Sequence, residues 1–269
     1  MALRFSPALQ NAVAANGSWK DCLDDGAIEI YTGTQPATPD LAVTGTLLAT
    51  ITSSAGAKTD EVRGTGVLTI SGTTSGTVDT CTLMGIDILG GAVTHTGDNN
   101  TMATAVALKI NRNPANKLVV ASSTGASGVI TLTAHPGFGT TLNGGTLTFT
   151  STTTTTAVTS TTFGSGTGGS VVGVAAVNGL RLDYNAAAGV ITKDSTQTWS
   201  GVAVATGTAG WFRYKGSVAD AGSLDSSAVF LRMDGNIATS GANMNMSSTT
   251  ITSGATQTLS TFSFTVPAA

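Results

Sequence analysis

Charge is scarce in this chain. Only 10% of its 269 residues are Asp, Glu, Lys or Arg, where roughly 25% is usual for globular proteins. Disorder normally couples low hydrophobicity with high net charge. Here apolar residues make up 41% and the formal net charge is -3, which excludes global disorder. The slightly acidic balance argues against the basic stripe of a nucleic-acid-binding surface. No apolar run is long enough to cross a bilayer as a helix, so neither nucleic acid nor membrane is expected as a partner. The opening "MALRFSPALQNAVAANGSW" carries one Arg and no continuous hydrophobic stretch. A secretory signal is therefore not expected, and folding in a cytoplasm is.

Reactive side chains are equally sparse. Cys22 and Cys81 are too few and too irregularly placed for a disulfide framework, and read as two separate buried thiols. With His95 and His135 they supply ligand types for zinc, but no pair has C-x-x-C or H-x-x-x-H spacing. No G-x-S-x-G elbow is present. Asp21, Asp24 and Asp25 form the densest acidic cluster; paired acids can hydrolyse glycosides, yet these three sit at the end of a short helical turn and read as a cap or solvated face. "GDNNT" (97–101) lacks the spacing of an EF-hand and its bidentate Glu, and reads as a helix N-cap. "GSGTGG" (164–169) matches G-x-G-x-x-G but lacks the βαβ context and the acid about 20 residues on; it reads as a turn or linker. The expectation is a protein without catalytic, cofactor or metal residues.

Thr, Ser, Gly and Asn stand where charge is missing. They hydrogen-bond neutrally and suit β surfaces and turns, and a surface poor in charge suits large contacts with other subunits. The pattern begins helical: Ser6 caps, Pro7 takes the first helical position, and Leu9 and Val13 share a face. Gly17 stops this helix, and Ser18 caps a second short turn with Trp19, Cys22 and Leu23 inward. From Ala27 short β segments dominate. "AIEIYTG" and "GTLLATITS" come first, then "GVLTISG", "TVDTCTLMGIDIL" and "GAVTHTG". "DNNTMATAVALKINRNP" interrupts them as a helix, with Met102, Val106 and Ile110 on one stripe, Asn99 or Thr101 as cap and Pro114 as stop. "KLVVASS", "GVITLTA" and "GTLTFTS" resume the strands. Later come "GLRLDYN", with Leu180, Leu182 and Tyr184 alternating, a strand pair around Gly207 to Gly210 in "GVAVATGTAGWFRYKGS", then "AVFLRMDG" and "TLSTFSFTVPA".

These patterns predict a mainly β protein. A discontinuous host domain, residues 1–57 and 170–269, is expected to be an antiparallel β-sandwich or jelly roll with a short N-terminal helix. Residues 58–169 form a small inserted α+β domain. Its exit, "LTFTSTTTTTAVTSTTFGSGTGGS", reads as a last strand running into a Thr/Gly-rich linker whose glycines form the return hinge.

Two further stretches carry the contact candidates. In "GWFRYKG", Trp211, Arg213 and Lys215 fall on one strand face and Phe212 and Tyr214 on the other. Aromatics beside cations can hold sugars or single strands, but the alternation suits a core strand with a polar outer face. "NMNMSS" sets Met244 and Met246 on one side, and methionine adapts to irregular interfaces. Trp211, Arg213, Lys215, Met244 and Met246 are therefore the candidates for subunit contact.

"GAIEIYTGTQPATPDLAVTGTLLATI", "WSGVAVATGTAGWFRYKGS" and "MDGNIATSGANMNMSSTTITSGATQTLSTFSFTVPA" resemble, in this order, a family of virion proteins of tailed bacteriophages. The middle segment is similar to small α+β modules that recur in phage head and tail proteins. The resemblance implies a virion component made in the bacterial host cytoplasm and supplies no catalytic residues, so with the absence of catalytic motifs a non-enzymatic structural protein is expected. The resemblance leaves capsid, neck and tail positions open; taken with the low charge and the β-rich pattern, the expectation is docking on other virion proteins (major capsid, neck or tail subunits), a homo-oligomer, and capsid decoration ahead of a neck or tail position. The alternative is a receptor- or carbohydrate-binding module on the particle surface.

Overall fold

The computed structural model describes residues 3–15, 17–72, 75–125, 127–151 and 156–266. The chain is mainly β, and among the described residues its ladders are antiparallel apart from one two-residue pairing. Backbone proximity divides it into two compact units, Met1–Glu61 with Ala176–Ala269, and Val62–Ala175. The sequence boundaries, 57/58 and 169/170, fall a few residues before these crossings.

Unit 1 begins with β1 (Arg4–Phe5), α1 (Pro7–Ala15), α2 (Trp19–Leu23), β2 (Ala27–Thr32) and β3 (Leu47–Ser53). Ser6 Oγ accepts the Leu9 N–H at 3.2 Å and Ser18 Oγ accepts that of Asp21 at 3.0 Å, so both helices start on the hydroxyl caps that the sequence provides. Unit 2 holds β4 (Thr65–Gly72), β5 (Thr77–Val78), β6 (Thr80–Leu83), β7 (Ile86–Asp87), β8 (Val93–Thr94), α3 (Asn99–Arg112), β9 (Val119–Ser123), β10 (Val129–Ala134), β11 (Leu147–Thr150) and β12 (Thr156–Ser160). The chain then completes unit 1 with β13 (Val190–Thr192), β14 (Trp199–Val202), β15 (Gly207–Lys215), β16 (Arg232–Ala238), β17 (Met244–Asn245), β18 (Thr250–Ile251), β19 (Thr256–Leu259) and β20 (Ser263–Thr265).

The main sheet of unit 1 runs β1-β16-β15-β2-β3-β14-β19, with β17 beside β16 and β18 beside β15; β13 pairs with β20. Period-2 alternation sends Ile28, Ile30, Phe212, Tyr214 and Met233 to one face, where they meet Leu9, Leu23, Phe262 and Phe264 in a single core. Each such fully buried side chain contributes on the order of 1.5–3 kcal/mol. Gly210 marks a register shift on β15, between Ala209 and Trp211. A Cβ there would lie 1.9 Å from the Gly33 carbonyl oxygen, so the bulge requires glycine.

Two expectations in unit 1 are corrected. "GLRLDYN" forms only isolated bridges, from Leu180 to Gly26 and from Leu182 to Lys193. The Asp24 carboxylate takes the Leu182 N–H at 2.8 Å, and Tyr184 is 80% exposed. The segments before and after Gly207 do not pair with each other: β14 lies between β3 and β19, while β15 lies between β2 and β16. The Val204 N–H is taken by the Leu48 carbonyl, which draws the connecting residues along β3 instead of into a hairpin.

In unit 2 the sheet β12-β4-β10-β9 packs the stripe Met102, Val106 and Ile110 of α3 against Leu68, Ile70, Ile130 and Leu132. Strands β11-β6-β7 and β5-β8 form two smaller sheets. The cap of α3 is Asp98, not Asn99 or Thr101; its Oδ1 accepts the Thr101 N–H at 2.8 Å. Part of the Thr/Gly-rich stretch, Thr152–Thr155, lies outside the described residues. The rest is built into unit 2 and does not form the expected return hinge. Strand β12 pairs with β4, Phe163 is fully buried in the unit's core, and the Gly164 N–H donates to the Thr65 carbonyl.

Candidate functional site

The charged residues of unit 1 concentrate on the second face of its main sheet. Alternation along three adjacent strands places Glu29 and Tyr31 of β2, Trp211, Arg213 and Lys215 of β15, and Arg232 and Asp234 of β16 on the side opposite the apolar core. Register then makes them neighbours, because Arg213 stands opposite Asp234 on one side and Glu29 on the other. Arg213 grips Asp234 with two parallel bonds, Nε to Oδ1 at 2.8 Å and Nη2 to Oδ2 at 2.7 Å. Its third nitrogen donates to the Leu41 carbonyl at 3.1 Å, and its guanidinium carbon lies 5.6 Å from the centre of the Trp211 ring. Trp211 stacks on Tyr31 at 4.7 Å.

Arg232 is satisfied as fully. It pairs with Asp220 through Nε at 2.7 Å and Nη2 at 2.6 Å, and reaches the carbonyls of Pro39 and Ser223 at 3.0 and 2.9 Å. Lys215 Nζ contacts Glu29 at 2.6 Å and donates to the Asp220 carbonyl at 2.8 Å. The acceptors Pro39, Leu41, Asp220 and Ser223 sit on the two loops that follow β2 and β15. These loops lie over the charged face and are tied to each other: Val43 N–H donates to the Gly222 carbonyl, and Asp225 N–H to that of Asp40. Charge-assisted bidentate pairs are the strong class of hydrogen bond. The arrangement is a buried ionic layer that fastens loops to the sheet.

Its titration follows from burial and pairing. Burial alone would push the Asp220 carboxyl up, but the Arg232 bonds and the Gly222 N–H outweigh it and hold it below its ordinary value. Burial pushes the Asp234 carboxyl up, and Arg213 opposes that rise without cancelling it. Each guanidinium spends its donors on acceptors of the same chain, and the side chains of Arg213, Arg232 and Asp234 have no exposed surface. The layer holds structure together, and within it the buried Trp211 Nε1 has no hydrogen-bond partner among the described residues.

Trp211, Arg213 and Lys215, expected as subunit contacts on a polar outer face, are therefore intramolecular, because the two loops cover that face. Met244 and Met246 are also buried, 2% and 9% exposed, within the unit 1 core. Met244 lines a cleft of about 430 Å³ with Leu3, Phe262 and Phe264. Asp21, Asp24 and Asp25 cap and tie segments: Asp21 pairs with Ser18, Asp24 with Lys20 and the Leu182 N–H, and Asp25 with Arg181 at 3.4 Å. The thiols lie in separate units; burial, with Asp21 nearby, pushes Cys22 up to about 11, and burial, with Asp87 nearby, pushes Cys81 up to about 12. Among the described residues no three His, Cys, Asp or Glu side chains group as metal ligands. Gly164, Gly166, Gly168 and Gly169 all take positive φ in the irregular segment after Phe163, with no helix following.

Glu29, Asp220, Arg232 and Asp234 were missed as members of this layer. A signal for three of them existed, since "EIY" and "RMDG" place charges at the same strand parity that "WFRYK" does.

A second use of polar side chains runs through unit 2, where asparagine amides clamp backbone. Asn143 Nδ2 donates to the Gly173 carbonyl at 2.8 Å while its Oδ1 accepts the Gly173 N–H at 2.9 Å. Asn111 does the same for Ala121, at 2.8 Å in both directions. Neutral amides here perform the pairing that a neighbouring strand would.

Comparison with protein-family models gives no match, and comparison with curated proteins gives none.

Proposed function

We propose that the chain is a non-enzymatic structural component of a tailed-phage virion that docks on neighbouring subunits, with capsid decoration preferred over a neck or tail position. The observation that carries the reading is where the charge goes. The chain has 12 Lys and Arg and 15 Asp and Glu, and six of these, Glu61, Arg213, Lys215, Asp225, Arg232 and Asp234, are buried. The other 21 (27 less 6) are not spread evenly over the exterior. On the unit 2 sheet the face away from α3 carries Val67, Thr69 and Ser71 of β4, Thr131 and Thr133 of β10, and Val120 and Ser122 of β9, none of them charged. Covering such a surface avoids the desolvation of ions, which costs several kcal/mol per charge. A stable contact of this kind buries upwards of about 1,000 Å².

The finer architecture belongs to the same reading. Unit 1 is the β-sandwich or jelly-roll host, unit 2 is an α+β module inserted into it, and the partners are major capsid, neck or tail subunits met in the bacterial host cytoplasm. The alternative, a receptor- or carbohydrate-binding module, loses one of its supports. Trp211, Phe212 and Tyr214 are fully buried and offer no stacking platform to a sugar. Mass spectrometry of purified virions tests the proposal, and cryo-electron microscopy of the particle locates the chain. Its presence at fixed copy number is expected; its absence from intact particles overturns the reading.

A further inference from the structure

The sheet β12-β4-β10-β9 ends differently at its two edges. Hydrogen bonds alternate along an antiparallel ladder, so every second residue of an edge strand turns its N–H and C=O away from the sheet. On β9 these residues are Val119, Ala121 and Ser123, and the first two are closed off. Asn116 Nδ2 donates to the Val119 carbonyl at 2.8 Å while its Oδ1 accepts the Val119 N–H at 3.2 Å. Asn111 closes Ala121 in the same way.

Among the described residues the opposite edge is unpaired along Val158 and Ser160, up to the point where Phe163 pairs with Gly145. The Ile70 N–H bonds to Gly128 and the Thr161 N–H to Val67, which fixes the phase. Val67, Thr69 and Ser71 of β4 bond toward β12, Ala157 and Thr159 bond back, and the backbone groups of Val158 and Ser160 point outward. Among the described residues no side chain closes those groups. The hydroxyl of Ser160 itself turns to the Leu147 carbonyl at 3.4 Å. Strand β12 carries no charge, no proline and no register break, which are the devices that protect edges elsewhere.

We infer that β12 is a homotypic docking edge, on which two copies of the chain pair β12 to β12, antiparallel, about a two-fold axis. The strand suits itself. Centring on Val158 sets Val158 opposite its own copy, Ala157 opposite Thr159 and Thr156 opposite Ser160. The outward backbone groups at 156, 158 and 160 then meet as hydrogen-bonded pairs. No like charges face each other, and the residues opposed are small or β-branched, as cross-strand pairs favour. A two-fold contact uses the same patch on both subunits and so demands this self-complementarity. The two four-stranded sheets join into one continuous sheet whose outer ends are the β9 strands, where the amides at Val119 and Ala121 oppose further strand addition.

Ala157 and Thr159 are exposed, so they can be changed without touching the core. Sedimentation equilibrium of the full chain provides the test. The wild type is expected to be a dimer. Ala157→Lys with Thr159→Lys opposes like charges twice and is expected to weaken it by about tenfold or more. Ala157→Lys with Thr159→Glu opposes unlike charges in this register and restores it. Unchanged circular dichroism and melting confirm that both double variants fold. A monomeric wild type overturns the inference, as does a dimer indifferent to the two double variants. So does an edge that binds only a different polypeptide. Dimerisation is read on the purified chain, so the result is independent of virion incorporation.

Discussion

Arg213 and Asp234 face each other across the β15–β16 ladder, joined by two hydrogen bonds of 2.8 and 2.7 Å, with neither side chain exposed to solvent. Removing one partner strands the other as a buried charge, which costs about 3–5 kcal/mol. Asp234→Ala is therefore expected to lose that much stability in urea unfolding. Replacing both, Arg213→Met with Asp234→Leu, removes charge and counter-charge together and is expected to recover most of the loss. If the double variant were as unstable as the single one, the layer would be acting through more than charge pairing.

Asp220 gives the layer a pH signature. Its folded value is depressed below its unfolded one by the Arg232 bonds acting against burial. Its stabilisation is therefore complete above the ordinary carboxylate range near pH 4 and is lost as pH falls through the folded value. Asp220→Asn is expected to be less stable than wild type at pH 7. Urea midpoints of the two proteins should converge as pH drops below about 4. A gap that stays constant down to acid pH would show that Asp220 acts by shape alone.

The two cysteines should be inert until the fold opens. Burial raises Cys22 to about 11 and Cys81 to about 12, so both are protonated at neutral pH, and the thiolate is the reactive form. Ellman's reagent is expected to find no fast thiol in the native protein and two in denaturant. One fast native thiol would place that cysteine in a region that opens readily. Cys22 and Cys81 belong to different units, so the order in which they react on stepwise denaturation reports which unit opens first.

Much of the architecture was legible because the period-2 alternation of strands and the 3.6-residue period of helices are local signals. Ile28 and Ile30 on β2, and Met102, Val106 and Ile110 on α3, announce their buried faces without knowledge of partners. The ionic layer was harder to read. Trp211, Arg213 and Lys215 look like an outward polar face until the loops after β2 and β15 are known to cover them, and loop packing is a long-range property. The Thr/Gly-rich stretch misled for a related reason. Threonine and glycine suit an edge strand and its turns as well as a linker, and Phe163, fully buried, was the residue that separated the two. The α3 cap moved to Asp98 because a neighbouring side chain with equal capping ability had the better geometry.

Asn111 tests whether a local amide keeps a sheet edge closed. Its side chain meets both backbone groups of Ala121 on the outer edge of β9, at 2.8 Å each. Asn111→Ala removes those bonds at an exposed position, where water replaces them, so a loss of only about 1 kcal/mol is expected. The larger consequence concerns the edge, which becomes an unpaired template of the kind that recruits other strands. Asn116, fully buried, still closes Val119, so the opening is partial. Light scattering on the purified chain should show concentration-dependent growth beyond the wild-type species for Asn111→Ala, with little change in melting temperature. Asn111→Gln can reach the same backbone groups only through a longer side chain and should fall between the two. If Asn111→Ala scattered no more than wild type at equal concentration, the amide would serve only to fasten α3 to β9.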